Sequence, residues 1–160
     1  MKPRRNAGFA AAALAIMAML AAAPALAGRV ETLIVRSRAA AAKGRLDDAV
    51  MLMQAAVVAD PARAASYVAL AGLYARHNKF DFASKYDAEA LEIAPTLAPA
   101  LGGAGEAALA LGDRAGAEAM LARLEKSCGA DCAETKSLDA ALKATQKAAP
   151  DTATSLLDKH

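Results

Sequence analysis

Two cysteines, Cys128 and Cys132, are separated by three residues and are the only thiols in the 160-residue chain. Such a pair can close a disulfide, bind a soft metal or cycle between redox states. The spacing is not the C-x-x-C of dithiol oxidoreductases, no C-x-x-C-H haem signature is present, and no His neighbours the pair. A structural disulfide between Cys128 and Cys132 is therefore expected, with redox or metal handling as the alternative. Histidine occurs only at His77 and His160. His77 falls at the end of a helical stretch, where the helix dipole favours a cation, and His160 lies in a terminal tail. Two His and two Cys so placed do not make a zinc site. Asp47 and Asp48 open a helical stretch and offset its dipole, so they read as helix-start residues and not as a catalytic carboxylate pair. Met51 and Met53 read as core filler. The sequence has no G-x-S-x-G, phosphate-loop or H-E-x-x-H motif. These residues predict no catalytic, cofactor-binding or metal site, and a chain that is not an enzyme.

The elements that carry these residues are helices. Alanine supplies 48 residues, the apolar fraction is 56%, aromatics are 4% and Trp is absent. Alanine is the best helix former, and the strand-forming β-branched and aromatic residues are scarce, so the composition predicts an all-α chain. Charged residues at 22% argue against wholesale disorder. Residues 1–27 read as a secretory signal. Lys2, Arg4 and Arg5 precede an uncharged run from Phe9 to Ala23, Pro24 breaks it, and Ala25-Leu26-Ala27 offers small residues for cleavage after Ala27. The run is short for a membrane span, so no stable membrane insertion is expected after cleavage, and the predicted location is the periplasm. Three of the 19 basic residues and none of the 17 acidic ones lie in this segment, which leaves 16 basic against 17 acidic residues in 28–160. No basic run survives there, so nucleic acid is not an expected partner.

Apolar residues at helical spacing predict helices over 29–43, 46–59, 62–77, 80–93, 98–111 and 113–127. Their short connections make neighbours antiparallel. Asp60, Thr96 and Asp113 are placed to cap the third, fifth and sixth helices. Asp131-Cys132-Ala133-Glu134 has capping-box spacing ahead of a seventh helix, 131–148, with Leu138, Ala141, Leu142 and Thr145 as its stripe. Residues 149–160 read as a flexible tail. Gly102, Gly103, Gly105 and Gly116 fall inside predicted helices. They are expected to permit close helix contact, the alternative being a helix that orders when a partner binds.

The chain also repeats. Pro61 and Pro95 are 34 residues apart, and that period brings three registers into phase, about 30–63, 64–97 and 98–128. The second runs Tyr67-x2-Leu70-Ala71-x2-Tyr74, then Ala83, Ala90 and Pro95. Gly44-Arg45-Leu46, Asn78-Lys79-Phe80 and Gly112-Asp113-Arg114 mark the turns. This pattern resembles the tetratricopeptide repeat (TPR), with Asp87 standing where a large apolar residue is usual. The stretch from Leu121 to Glu134 resembles small exported TPR proteins of Gram-negative type. The resemblance implies an antiparallel helix-pair solenoid of three repeats with a C-terminal capping helix, and a concave face that binds a protein or peptide partner. Carried onto this chain, the groove positions are Glu31, Ile34 and Arg38, then Ala65, Val68, Gly72 and Arg76, then Pro99, Gly102, Glu106 and Leu109. Arg38 and Arg76 are the expected anchors. The Lys and Asn clamp with which some TPR domains hold a C-terminal carboxylate is not reproduced, because Ile34 and Arg38 occupy its places. The leading expectation is a periplasmic interaction module. The alternatives are a structural subunit of a larger envelope assembly, or a redox or metal-handling accessory using Cys128 and Cys132.

Overall fold

Seven helices succeed one another across residues 28–148, the residues that this computed structural model describes. They are α1 (28–42), α2 (Leu46–Ala59), α3 (Ala64–Arg76), α4 (Phe80–Ile93), α5 (Ala98–Ala110), α6 (Arg114–Cys128) and α7 (Ala133–Ala148). No strand occurs among the described residues. Residues 1–27, where a signal and its cleavage point are expected, and residues 149–160, the expected tail with His160, lie outside them. No described helix is long and apolar enough to cross a membrane.

The helices pair as α1–α2, α3–α4 and α5–α6, and each pair turns on one left-handed residue. These are Gly44 (φ 74°), Asn78 (φ 56°) and Gly112 (φ 81°). They recur every 34 residues. A left-handed residue ends a helix and lets the chain double back, and Asn is a side-chain-bearing residue that tolerates the position. The buried faces repeat in the same register. Ala49, Ala83 and Ala117 are buried on α2, α4 and α6, and Ala56 and Ala90 two turns further along the same face. A methyl group at these places lets helix axes approach closely. Ser37 on α1 spans the first pair by donating to the Ala49 carbonyl at 2.7 Å. Tyr74 ties the second pair, stacked on Phe82 and Tyr86 at centroid distances of 5.1 and 5.4 Å.

The core runs as two clusters along the stack. One joins α1 to α4 around Met53, Leu70 and Tyr74. The other joins α5, α6 and α7 around Leu101, Leu124, Leu138 and Leu142. Burying each of these leucines contributes about 1.5–3 kcal/mol. Without α7 the apolar face of the last pair would meet water. Gly105 lets α7 close in, because a Cβ there would overlap the Leu138 methyl groups. Gly102 and Gly103 permit similar approaches, to Glu134 and Asp87. Gly116 instead faces Asp113 at the start of its own helix.

Local details match the expectation at one cap and depart from it at others. Asp113 caps α6, accepting from the Gly116 N–H at 2.8 Å. Asp60 does not cap α3. Pro61 opens a turn and not the helix, so α3 starts at Ala64 behind Arg63, and Asp60 Oδ1 accepts from the Ala62 N–H inside the turn at 3.3 Å. Thr96 is displaced in the same way, with Leu97 at the N-cap of α5. Asp131 pairs with Lys136 at 2.9 Å, and α7 begins at Ala133. Met53 is core, but Met51 is 60% exposed. Two residues of helix rotate about 200°, so Met51 points away from the face shared by Ala49, Met53 and Ala56.

Candidate partner-binding groove

The first helices of the pairs and the capping helix, α1, α3, α5 and α7, lie along one side of the stack and leave a trough. Between α1 and α3 it opens into a cavity of about 480 Å³, bordered by Ser37, Arg38, Ala41, Leu73 and Arg76. Between α3, α5 and α7 it opens into a second cavity of about 410 Å³, with Ala83 and Asp87 of α4 at the bottom. Gly72 borders both. A Cβ built on Gly72 would meet no atom within 4 Å, so nothing in the trough stands over this position.

The residues expected along the groove divide. Arg38 is exposed and makes no ion pair among the described residues. Arg76 is exposed and donates from Nη2 to the Ala41 carbonyl at 3.2 Å, which holds it at the edge of the first cavity. Val68 is half-buried on the wall of the second cavity, and Ala65 is exposed. Pro99 and Glu106 reach the second cavity from α5, where Glu106 accepts from Ser137 Oγ at 3.1 Å. Gly102 is buried beneath Glu134. Glu31 is exposed but paired with Arg63 at 3.2 Å, away from both cavities. Two positions are corrected. Ile34 is 3% exposed and belongs to the core, because it shares the inward stripe of α1 with Val30, Ser37 and Ala41. Leu109 lines neither cavity and packs on the α5–α7 cluster.

Other residues of the trough were not among the expected groove positions. Asp87 is 2% exposed, its Oδ1 has no hydrogen-bond partner among the described residues, and it lines the second cavity. Burial pushes its carboxyl up to about 8, and the nearby charge of Glu106 adds to the effect. Gly103 makes room for it, since a Cβ there would overlap the carboxyl group. In the repeat register Asp87 falls where Met53 sits in the first pair, and the sequence signal for it was this departure from an apolar position. Glu134 and Ser137 come from α7, which is outside the 34-residue period and offered no register to read.

Cys128 and Cys132 stand at bonding distance and form a disulfide, with 5.7 Å between their Cα atoms. It closes the turn from α6 to α7. Thr135 Oγ1 donates to the Gly129 carbonyl at 2.9 Å across the same turn. Together they fix the first turn of α7, and with it Glu134, beside the second cavity. His77 ends α3 as expected, with Nε2 at 3.7 Å from Asp47. No group of three or more His, Cys, Asp or Glu among the described residues is arranged to hold a metal ion.

No protein-family model matches the sequence, and no curated protein matches it. Solved structures do. The first TPR of Spaghetti (RPAP3), bound to an HSP90 peptide, is 20% identical at a TM-score of 0.67, covering 74% of this chain and 97% of that one. The Sgt2 TPR domain from Aspergillus fumigatus is 20% identical at 0.67, covering 74% and 80%. The Yersinia enterocolitica type III secretion chaperone SycD, in complex with a peptide of the translocator YopD, is 21% identical at 0.63, covering 74% and 89%. Helix pairs, 34-residue register and these neighbours agree, and the chain has the fold of the tetratricopeptide-repeat domains.

Proposed function

We propose that this protein is a periplasmic interaction module that holds a segment of a partner protein in the trough lined by α1, α3, α5 and α7. The observation that carries this reading is the continuity of the trough. Two cavities of about 410 and 480 Å³ meet at Gly72, where the helix surface is open, and Arg38 borders the α1–α3 cavity with no ion pair among the described residues. An unpaired Arg at the edge of an apolar cavity suits an interface anchor. Peptides bound to structural neighbours, the HSP90 peptide on RPAP3 and the YopD peptide on SycD, support the class of ligand. The export reading rests on residues 1–27 and on a disulfide that suits an oxidising compartment.

The test is capture of partners from a periplasmic extract on wild-type protein, with Arg38→Glu and Gly72→Leu variants in parallel. Leu at the open Gly72 position fills the trough without entering the core. A protein retained by the wild type and lost by both variants supports the proposal. Equal retention on all three columns moves the interface elsewhere and refutes it. N-terminal sequencing of the exported chain checks the location, with Gly28 as the expected first residue.

A further inference from the structure

The second cavity has a chemistry of its own. Its charged lining is entirely acidic: Asp87 from α4, Glu106 from α5 and Glu134 from α7. The helix α3 adds only Val68, Ala71, Gly72 and Ala75, and no Lys, Arg or His among the described residues borders the space. Glu106 has one partner, the Ser137 hydroxyl, and the positive end of the α7 dipole is met by its own Glu134. Asp87 is the distinctive member. A buried carboxyl oxygen without a partner is costly, and folded proteins rarely retain one without a use for it. Here the oxygen belongs to a side chain lining an apolar-walled space of about 410 Å³. The acceptor set does not converge as metal ligands. Acidic groups beneath apolar walls match an ammonium group on an aliphatic stem, whose methylenes pack on Val68, Ala71 and Phe80 while the charge reaches the carboxyls.

We infer that this cavity receives a lysine side chain projecting from the partner segment, an inference that rests on the groove-binding reading above. The partner then carries a lysine at the α5–α7 end of the trough, and the two arginines at the α1–α3 end meet acceptors. Specificity comes from both halves, because a segment of the wrong charge order leaves the Asp87 carboxyl unpaired. Asp87 releases its proton as the ammonium binds, so affinity rises with pH until Asp87 is ionised in the free protein. The groups facing Asp87 in this titration are Glu106 and Glu134, with none from α3.

The probe is n-butylammonium, the lysine side chain without its backbone, titrated into protein purified from cells expressing the full 160-residue chain. Amide NMR signals of Gly102 and Gly103 report on the cavity. The expected result is saturable shifts with n-butylammonium, and none with n-butanol or butyrate. From pH 6.5 to 7.5 affinity should rise by about tenfold, with one proton released. Asp87→Asn, checked for folding by its own amide spectrum, should weaken binding by at least about tenfold, and Glu106→Gln by about threefold. No saturable shift, equal binding by Asp87→Asn, or tighter binding of butyrate or n-propylguanidinium overturns the lysine assignment. The two readings fail separately. Ammonium binding without a partner held at Val68 leaves the pocket and removes the groove reading, and the converse result leaves the groove and removes the pocket.

Discussion

Replacing Asp87 by Asn should change how stability depends on pH. The carboxyl titrates near 3.8 in an unfolded chain and at about 8 in the fold, chiefly through burial. The folded state therefore favours the protonated form. The stability this contributes is fully present below pH 3.8 and is lost progressively as pH rises towards 8. Each pH unit in that window is worth about 1.4 kcal/mol, so from about pH 5 to about pH 8 the wild type should lose about 4 kcal/mol through this group. Asn has nearly the same shape and does not titrate. Urea unfolding of both proteins across this range gives the difference directly, free of groups common to both. The wild type should be the steeper by about 4 kcal/mol, with its urea midpoint falling as pH rises. Parallel curves would refute the account of Asp87 as a buried, unpartnered acid.

Other substitutions probe the frame around the groove. Gly72→Ala should stabilise the fold by about 0.5–1 kcal/mol, since a methyl group there meets open space in a helix, and thermal unfolding would show it. Gly105→Ala should destabilise by about 1–3 kcal/mol and raise amide exchange in α7 first, because the new methyl group displaces Leu138. Replacing both Cys128 and Cys132 by Ser should cost about 2 kcal/mol, as expected for a short closed loop, with the urea midpoint as readout.

The fold was legible because its signal is repeated. Turn residues at 44, 78 and 112 and small residues at 49, 83 and 117 recur with one period, and each copy reinforces the others. The Cys128–Cys132 disulfide was legible from the export reading of residues 1–27 and from the lack of a dithiol or haem signature around the two cysteines. The groove was legible in part. Register placed Val68, Gly72, Arg76 and Glu106 beside the trough, but it could not tell that Ile34 turns inward with Val30 and Ser37. Caps were misplaced where a proline opens a turn and not a helix, as at Pro61. Asp87 stood out as a polar residue at an apolar register. What it faces depends on Gly103 of the next helix and on Glu134 of α7, which are long-range contacts that no local pattern encodes.

The central claim is that a partner segment lies in the trough. A photo-crosslinking residue placed at Val68, on the wall of the second cavity, tests it in living cells against the same residue at Val58, which is 82% exposed on α2 and borders neither cavity. The account predicts one cross-linked partner from position 68, lost when Gly72→Leu fills the trough, and none from position 58. Cross-linking from position 58 alone, or from position 68 undiminished by Gly72→Leu, would contradict it.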